Sequence, residues 1–229
     1  LNDCAASPLN PLGSRATMDS GTFGELPAMT GDTFSDASLQ KRQALRRQLR
    51  QFRRSLRPQQ QAQAARKLCH ALKQLPSIQQ ASHIAAYVAC DGEINPALFL
   101  RWAQTHGKTI WLPVVTPSHA LHRDGLRFAQ APSARARRGW RRNQYGIAEP
   151  CSRQSKLAKH LDVLLMPLVG FDANGNRLGM GGGYYDRLLA SLSRYPRRPR
   201  AIGLAHACQR IANLPVAQWD RPVDELIVI

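Results

Sequence analysis

Leu161-Asp-Val-Leu-Leu-Met-Pro-Leu-Val169 carries the strongest strand signal in the sequence. After it come the turn Phe171-Asp-Ala-Asn-Gly175 and the stretch Gly175-Asn-Arg-Leu-Gly-Met-Gly-Gly-Gly-Tyr-Tyr-Asp-Arg187. The apolar run is too short for a membrane span of ~20 residues, and Pro167 interrupts it, so a buried strand fits it better. A buried strand leading to a glycine-rich turn that opens a helix is an arrangement that binds phosphate. Glycines let the backbone approach an anion closely, and the first N–H groups of the helix then point at the charge. Gly179, Gly181, Gly182 and Gly183 supply that freedom, with Arg177 and Arg187 on either side. The segment matches neither GxxxxGK[ST] nor a clean GxGxxG, so general motif rules take it no further than an anion site. Two aromatics, an acid and a base directly on the turn, Tyr184 to Arg187, favour a ligand over a purely structural bend. Asp186 is a natural Mg²⁺ ligand, because Mg²⁺ on a nucleotide takes one or two protein carboxylates beside phosphate oxygens.

Strands and helices alternate outward from this stretch. Leu39, Leu45, Leu49, Phe52 and Leu56 recur at helical spacing and predict an amphipathic helix over 38–56, with arginines filling its other faces. A second helix is expected over 59–75, ending before Pro76. His83 to Ala89 reads as a buried strand closed by the turn Asp91-Gly92, and 96–106 as a helix stopped by Gly107. Further strands are predicted over 108–115, 126–129, 200–205 and 225–229, and a helix over 182–193. The basic segment between 130 and 150 reads as a loop. The pattern predicts an α/β fold with a mostly parallel central sheet flanked by helices, a Rossmann-like three-layer arrangement.

Composition sets outer bounds. Of 229 residues 43% are apolar, which supports a real core. Leu1 to Leu39 is rich in Ser, Thr, Gly, Asp and Pro, and cannot bury enough apolar surface to offset its ordering entropy. Residues 1–37 are therefore expected to be a disordered extension, and 38–229 a single catalytic domain. The five cysteines are widely spaced and form no CxxC pair, so neither a disulfide framework nor a zinc site is indicated, and a reduced cytoplasmic protein is the default. The formal charge of +17 favours a polyanionic partner. A nucleic-acid-binding protein on the same fold is the alternative it raises. That reading is disfavoured because aromatics are not interleaved with the basic runs as stacking platforms.

The segment from Pro167 to Arg187 resembles the signature of the 5-formyltetrahydrofolate cyclo-ligase family, also called methenyltetrahydrofolate synthetases. The resemblance runs from about Leu39 to the end of the chain. Four further elements follow the family's order: Arg42-Gln-Ala-Leu-Arg46, Tyr87-Val-Ala-Cys-Asp-Gly-Glu-Ile94, Tyr145-Gly-Ile-Ala-Glu-Pro150 and Trp219-Asp-Arg-Pro-Val-Asp224. Such a resemblance implies ATP- and Mg²⁺-dependent closure of 5-formyltetrahydrofolate to 5,10-methenyltetrahydrofolate, with release of ADP and phosphate. It also implies a monomer without membrane association, and a folate substrate whose glutamate tail, single or multiple, would meet the charge of the Arg135 to Arg142 segment.

Residue by residue, the resemblance implies that Arg42 and Arg46 contact the phosphates of ATP; their i, i+4 spacing puts both on one helix face. The run Arg177, Leu178, Gly179, Met180, Gly181, Gly182, Gly183, Tyr184 and Tyr185 would wrap the triphosphate. Met180 to Tyr184 would also face the folate, and Arg177 and Tyr184 would position the reacting groups and neutralise charge. Asp186 and Asp220 are the implied Mg²⁺ ligands, with Asp186 facing the surface and contributing little to the core. Val88 and Glu93 are implied on the substrate side, where a carboxylate can accept the paired donors of the pterin edge. Tyr145 is an expected aromatic wall. Gly182 stands where many family members carry Lys, which leaves Arg177 or Arg187 to supply that charge. His206 stands where an aromatic is usual, and is expected to be a satisfied structural histidine.

Overall fold

The computed structural model describes residues 36–115, 126–133, 136 and 138–229; the expectation for 1–35, and that part of the basic segment which includes Arg135, lie outside them. The chain begins with α1 (Asp36–Arg54), α2 (Pro58–Gln74) and α3 (Pro76–Gln80), then β1 (His83–Ala85) and α4 (Ala97–Thr105). There follow β2 (Thr109–Val115), β3 (Leu126–Gln130), the pair β4 (Trp140–Arg142) and β5 (Ala148–Pro150), and β6 (Ser155–Lys156). Next come β7 (Val163–Pro167), the pair β8 (Gly170–Phe171) and β9 (Arg177–Leu178), α5 (Tyr184–Leu192), β10 (Arg200–Ala205) and β11 (Glu225–Val228). Pro58 and Pro76 open α2 and α3, where a missing N–H costs nothing.

The main sheet has seven strands in the order β11-β10-β7-β1-β2-β3-β6. Neighbours from β11 to β2 run parallel, whereas β3 and β6 are antiparallel additions at one edge. The expected mostly parallel α/β sheet is what forms. Its central strands are buried on both faces. Ile84, Ile110, Leu112, Val163, Leu165, Ile202 and Leu204 face a layer made by α2, α3 and α4, packing on Leu68, Leu72, Ile78, Phe99 and Ala103. The alternate residues Ala85, Trp111, Leu164, Met166 and Ala201 face Leu188, Leu189 and Leu192 of α5. This explains why the apolar residues of β7 do not alternate with polar ones: a strand with helices on both sides has no polar face.

Helix α1 departs from the reading of its sequence. Leu39 and Phe52 are 42% and 44% exposed, while Arg42, Leu49 and Arg53 are its buried residues. It packs against β8 and the short 3₁₀ turn Ala207–Gln209 rather than on the broad face of the sheet. The region read as a basic loop contains the β4–β5 hairpin. Buried Glu149 holds it together, accepting from Asn143 Nδ2 at 2.9 Å and pairing with Arg141 at 3.5 Å. A second small hairpin, β8–β9, stands between β7 and the glycine loop. Buried Asp172 pins its turn, accepting the N–H groups of Asn174, Asn176 and Leu214. Burial opposes the Asp172 charge, but its donors outweigh burial and hold the carboxyl below its ordinary value.

Candidate active site

All five parallel strands end on one edge of the sheet, the edge at which open α/β sheets bind ligands. Beyond β1 runs the segment from Tyr87 to Glu93, beyond β7 the glycine loop, and beyond β10 His206; α1 lies close to all three.

The glycine loop meets the expected charges. Gly183, at φ 66°, is the cap residue of α5, a left-handed conformation that glycine adopts without strain. The first-turn N–H groups of α5 have no carbonyl four residues back to bond, and the loop brings arginines to them. Arg46 donates from Nε to the Gly179 carbonyl at 2.9 Å. Arg177 is buried, donates to the Arg221 carbonyl at 3.0 Å, and pairs with Asp186 at 2.5 Å. Arg42 grips both oxygens of Asp220, reaching Oδ1 at 3.0 Å, and donates to the Pro215 carbonyl at 2.7 Å. Burial and the Arg42 charge press against the Arg46 cation, which Asp220 and Asp186 support, so the five side chains form one electrostatic cluster. Arg177 too is pushed down by burial, with Asp186 the first group to oppose it.

Two expectations change here. Asp186 is not a surface carboxylate: its side chain is 18% exposed and it is the partner of a buried guanidinium. Its Oδ2 takes no hydrogen bond from the described residues, so one oxygen stays open to a cation. Asp220 has both oxygens engaged, Oδ2 also accepting the Ala217 N–H at 2.8 Å. The two carboxylates nevertheless suit Mg²⁺, which needs only one or two of them beside phosphate and water.

The aromatic expectations fare differently. Tyr145 sits on the turn of the β4–β5 hairpin, 58% exposed, with its hydroxyl 3.5 Å from that of Tyr184. That hydrogen bond and partial burial raise the Tyr184 pKa. Tyr185 is pushed up by burial and by Glu93, against the effect of Arg177, so it stands between the two clusters. Met180 is exposed at the loop, and Leu178 is fully buried in the core instead of facing a ligand. Val88 is half-buried and packs against the main core. Arg187 donates to the Gly182 carbonyl at 3.0 Å and lies 5.1 Å over the Tyr184 ring. Of the two candidates for the charge missing at Gly182, Arg187 is the one beside it.

Glu93 is buried and held by its own turn, its Oε2 accepting the Cys90 N–H at 3.1 Å. Burial raises its pKa. A cavity of about 460 Å³ opens beside it, lined by Gln61 and Ala65 of α2 and by Cys90, Asp91, Glu93 and Asn95. Sequence reading missed the group behind this turn. Asp91, at φ 52°, bonds Arg50 at 2.6 Å, Arg53 at 2.7 Å, and Arg54. Burial works against the Asp91 carboxylate, but the three arginines outweigh it and hold its pKa at about 2. The next residue, Gly92, has φ 75°, and a Cβ there would meet the Arg53 carbonyl oxygen at 2.9 Å. Helical spacing was the signal available: Arg53 follows Arg46 by seven and Arg42 by eleven, on the same face. His206 is not the satisfied histidine expected. It is 3% exposed with Nε2 unpartnered, and burial together with Arg53 lowers its pKa.

The sequence profile described as the 5-formyltetrahydrofolate cyclo-ligase family matches residues 38–229. The chain belongs to this family. It is 37% identical over 191 residues to a 5-formyltetrahydrofolate cyclo-ligase of Haemophilus influenzae, covering 82% of this chain and 98% of the relative. A cyclo-ligase of the same name from Escherichia coli is 34% identical over 181 residues, covering 78% and 95%. The solved 5,10-methenyltetrahydrofolate synthetase of Aquifex aeolicus superposes with a TM-score of 0.68 at 26% identity, covering 82% of this chain and 89% of that one. The Mycoplasma pneumoniae synthetase shares the fold, with a TM-score of 0.62 at 24% identity over 81% and 97%. Membership places the chain among ligases of folate metabolism. No helix of the described residues is long and apolar enough to cross a membrane.

Proposed function

We propose that the protein closes 5-formyltetrahydrofolate to 5,10-methenyltetrahydrofolate at the expense of ATP. The observation that carries this reading is the convergence of Arg42, Arg46 and Arg177 with Asp186 and Asp220 on the glycine loop, in a chain of the cyclo-ligase family. A formamide carbonyl resists attack by a weak amine, and its oxygen leaves poorly. Transfer of the γ-phosphoryl group to the formyl oxygen, with ADP departing, turns that oxygen into a leaving group. N10 then bonds to the formyl carbon and gives up its proton to phosphate or solvent, and the C–O bond breaks as inorganic phosphate departs. The protein's part is to position the reactants and neutralise charge.

In this reading the α5 N–H groups and Gly179 to Gly183 bind the phosphates, with Arg46 and Arg187 at their sides. Arg42 and Arg177, held ready by Asp220 and Asp186, can turn part of their donor capacity to the nucleotide. Asp186 and Asp220 would hold Mg²⁺, which when bound would neutralise phosphate charge. Glu93 accepts the donors of the pterin edge, and Tyr145 with Tyr184 walls the folate on the hairpin side. The Arg138, Arg141 and Arg142 side of that hairpin is where a glutamate tail, single or multiple, would run. A cytoplasmic setting fits the unpaired thiols of Cys69, Cys90, Cys151 and Cys208. The nucleic-acid alternative is less favoured, since Arg42, Arg46, Arg50, Arg53 and Arg54 of the basic first helix each have an acceptor within the fold.

The test is turnover of the full chain with 5-formyltetrahydrofolate and Mg-ATP, followed at the methenyl absorption band. Product that requires ATP is expected; absence of ATP-dependent product overturns the reading. Asp186→Asn keeps an acceptor for Arg177 and should lower kcat by about 10²–10³-fold, as loss of a charge-stabilising group does. Wild-type turnover in that variant would remove Asp186 from the reacting site.

A further inference from the structure

Arg53 has no direct part in the reaction proposed above, yet it occupies the most constrained position near it. It is fully buried, and a buried guanidinium is costly unless it is paired and hydrogen-bonded. Its Nε donates to the Asp91 carbonyl at 2.8 Å, and one terminal nitrogen donates to the Leu168 carbonyl at 3.1 Å, just past the end of β7. The other reaches Asp91 Oδ2 at 2.7 Å, Met180 Sδ at 3.8 Å and Glu93 Oε1 at 3.8 Å. A single planar group thus touches the helix-facing turn after β1, the backbone leading to the glycine loop, and the loop itself. Among the described residues it is the one cation within 4.0 Å of Glu93.

We propose that Arg53 is a positioning residue for folate recognition. It fixes the Asp91–Gly92 turn and the Glu93 carboxylate in register with Met180 of the glycine loop, without itself reaching the substrate. The proposal rests on the cyclo-ligase reading, in which Glu93 meets the pterin. The groups facing Glu93 define what Arg53 does for it. From its own turn come the Cys90 N–H and thiol and the Asp91 carboxylate; from the segment just after β1 comes Tyr87, whose hydroxyl donates to the Ile94 carbonyl at 2.6 Å; from α5 comes Tyr185. Burial is the largest influence on Glu93 and raises its pKa; Asp91 acts in the same sense, while Cys90 and Arg53 oppose. Both tyrosines are held neutral, pushed up by burial and then by Glu93, and the pKa of His206 is lowered by burial and then by Arg53, against a hydrogen bond with the Gly92 backbone. Arg53, 3.8 Å from Glu93 Oε1, is thus the positive charge that, after the Cys90 N–H, favours the Glu93 carboxylate against its burial.

The experiment measures kcat, KM for 5-formyltetrahydrofolate and KM for ATP against pH in the full chain, with Tm recorded for each variant. Arg53→Met should raise the folate KM about tenfold, the scale of one charge-assisted contact, and move the ATP KM much less. The folate KM climbs as pH falls and Glu93 takes up a proton; in Arg53→Met that climb should begin at higher pH. Arg53→Lys, which keeps the charge but not the planar fork, should restore the pH profile while leaving part of the KM defect. Asp91→Asn should shift the climb to lower pH, because it removes a neighbouring negative charge. Equal loss across both substrates, with the pH profile unmoved, would reduce Arg53 to a structural role and overturn the proposal. Should Arg53→Met not fold, an unshifted Asp91→Asn profile decides against it in the same way. A wild-type enzyme without turnover removes the cyclo-ligase reading and this inference with it.

Discussion

Helices α1 and α2 are consecutive, amphipathic and rich in polar side chains, yet they bury opposite things. Helix α2 turns Ala64, Ala65, Leu68 and Leu72 inward and joins α4 over one face of the sheet. Helix α1 turns Arg42, Leu49 and Arg53 inward, and exposes two of the apolar residues that made it look amphipathic. The difference lies in what each helix covers. The face of a parallel sheet offers side chains of Val, Leu and Ile. Its carboxyl edge offers the carbonyls and carboxylates of the segments leaving the strands. Here these are Leu168, Gly179 and Pro215 oxygens with Asp91 and Asp220, all acceptors for arginine. A helix lying along that edge is buried by hydrogen bonding and charge rather than by hydropathy.

The sharpest break of this comparison is Arg42→Ala. Removing one partner of a buried ion pair leaves the other charge uncompensated, so a loss of about 3–5 kcal/mol is expected in denaturant unfolding. The same variant should raise the KM for ATP, and a stability loss without an ATP effect would leave α1 a purely structural helix. Leu68→Ala, on α2, should cost about 2–5 kcal/mol as a core cavity, with kcat unchanged below its lowered Tm. A kcat that fell with it would mean that the two helices are not separable in function. The smallest effect concerns the Asp91 clamp. Its folded pKa of about 2 lies below the ordinary 3.8, so its stabilisation is present above the higher value and is lost as pH falls through the lower. That gap is worth about 2 kcal/mol, and Asp91→Asn should flatten the acid side of the stability profile accordingly. Equal acid sensitivity in wild type and variant would show that the three arginines do not depend on Asp91 in this way.

Much of the fold was legible because its signals are local. The apolar run of β7, the proline starts of α2 and α3 and the glycines that open α5 each depend on neighbours within a few residues. The two hairpins were less legible. None of Trp140 to Arg142 is buried, so β4 has no alternation to read, and its register comes from Asn143 and Glu149. In the site, the glycine loop and the arginines near it were found through motif order. The clamp between Arg53 and Asp91, and the lack of a partner at His206 Nε2, were not. Helix α1 looks like a solvated basic face until something acidic is placed against it, and Arg42 and Asp220 are 178 residues apart in the chain.

The sequence by itself determined the layered α/β sheet, the glycine-rich turn that opens α5 and the membership of the cyclo-ligase family. Periodicity, glycine placement and motif order are properties of short stretches, and they survive without knowledge of distant contacts. Only the tertiary structure decided which arginines are buried, that Asp186 and Asp220 arrive already paired, and that Tyr145 of the hairpin meets Tyr184 of α5. The physical reason is that charge and hydrogen-bond complementarity are settled by geometry between remote segments. A guanidinium carries the same sequence signature whether it faces water or fills the edge of a sheet.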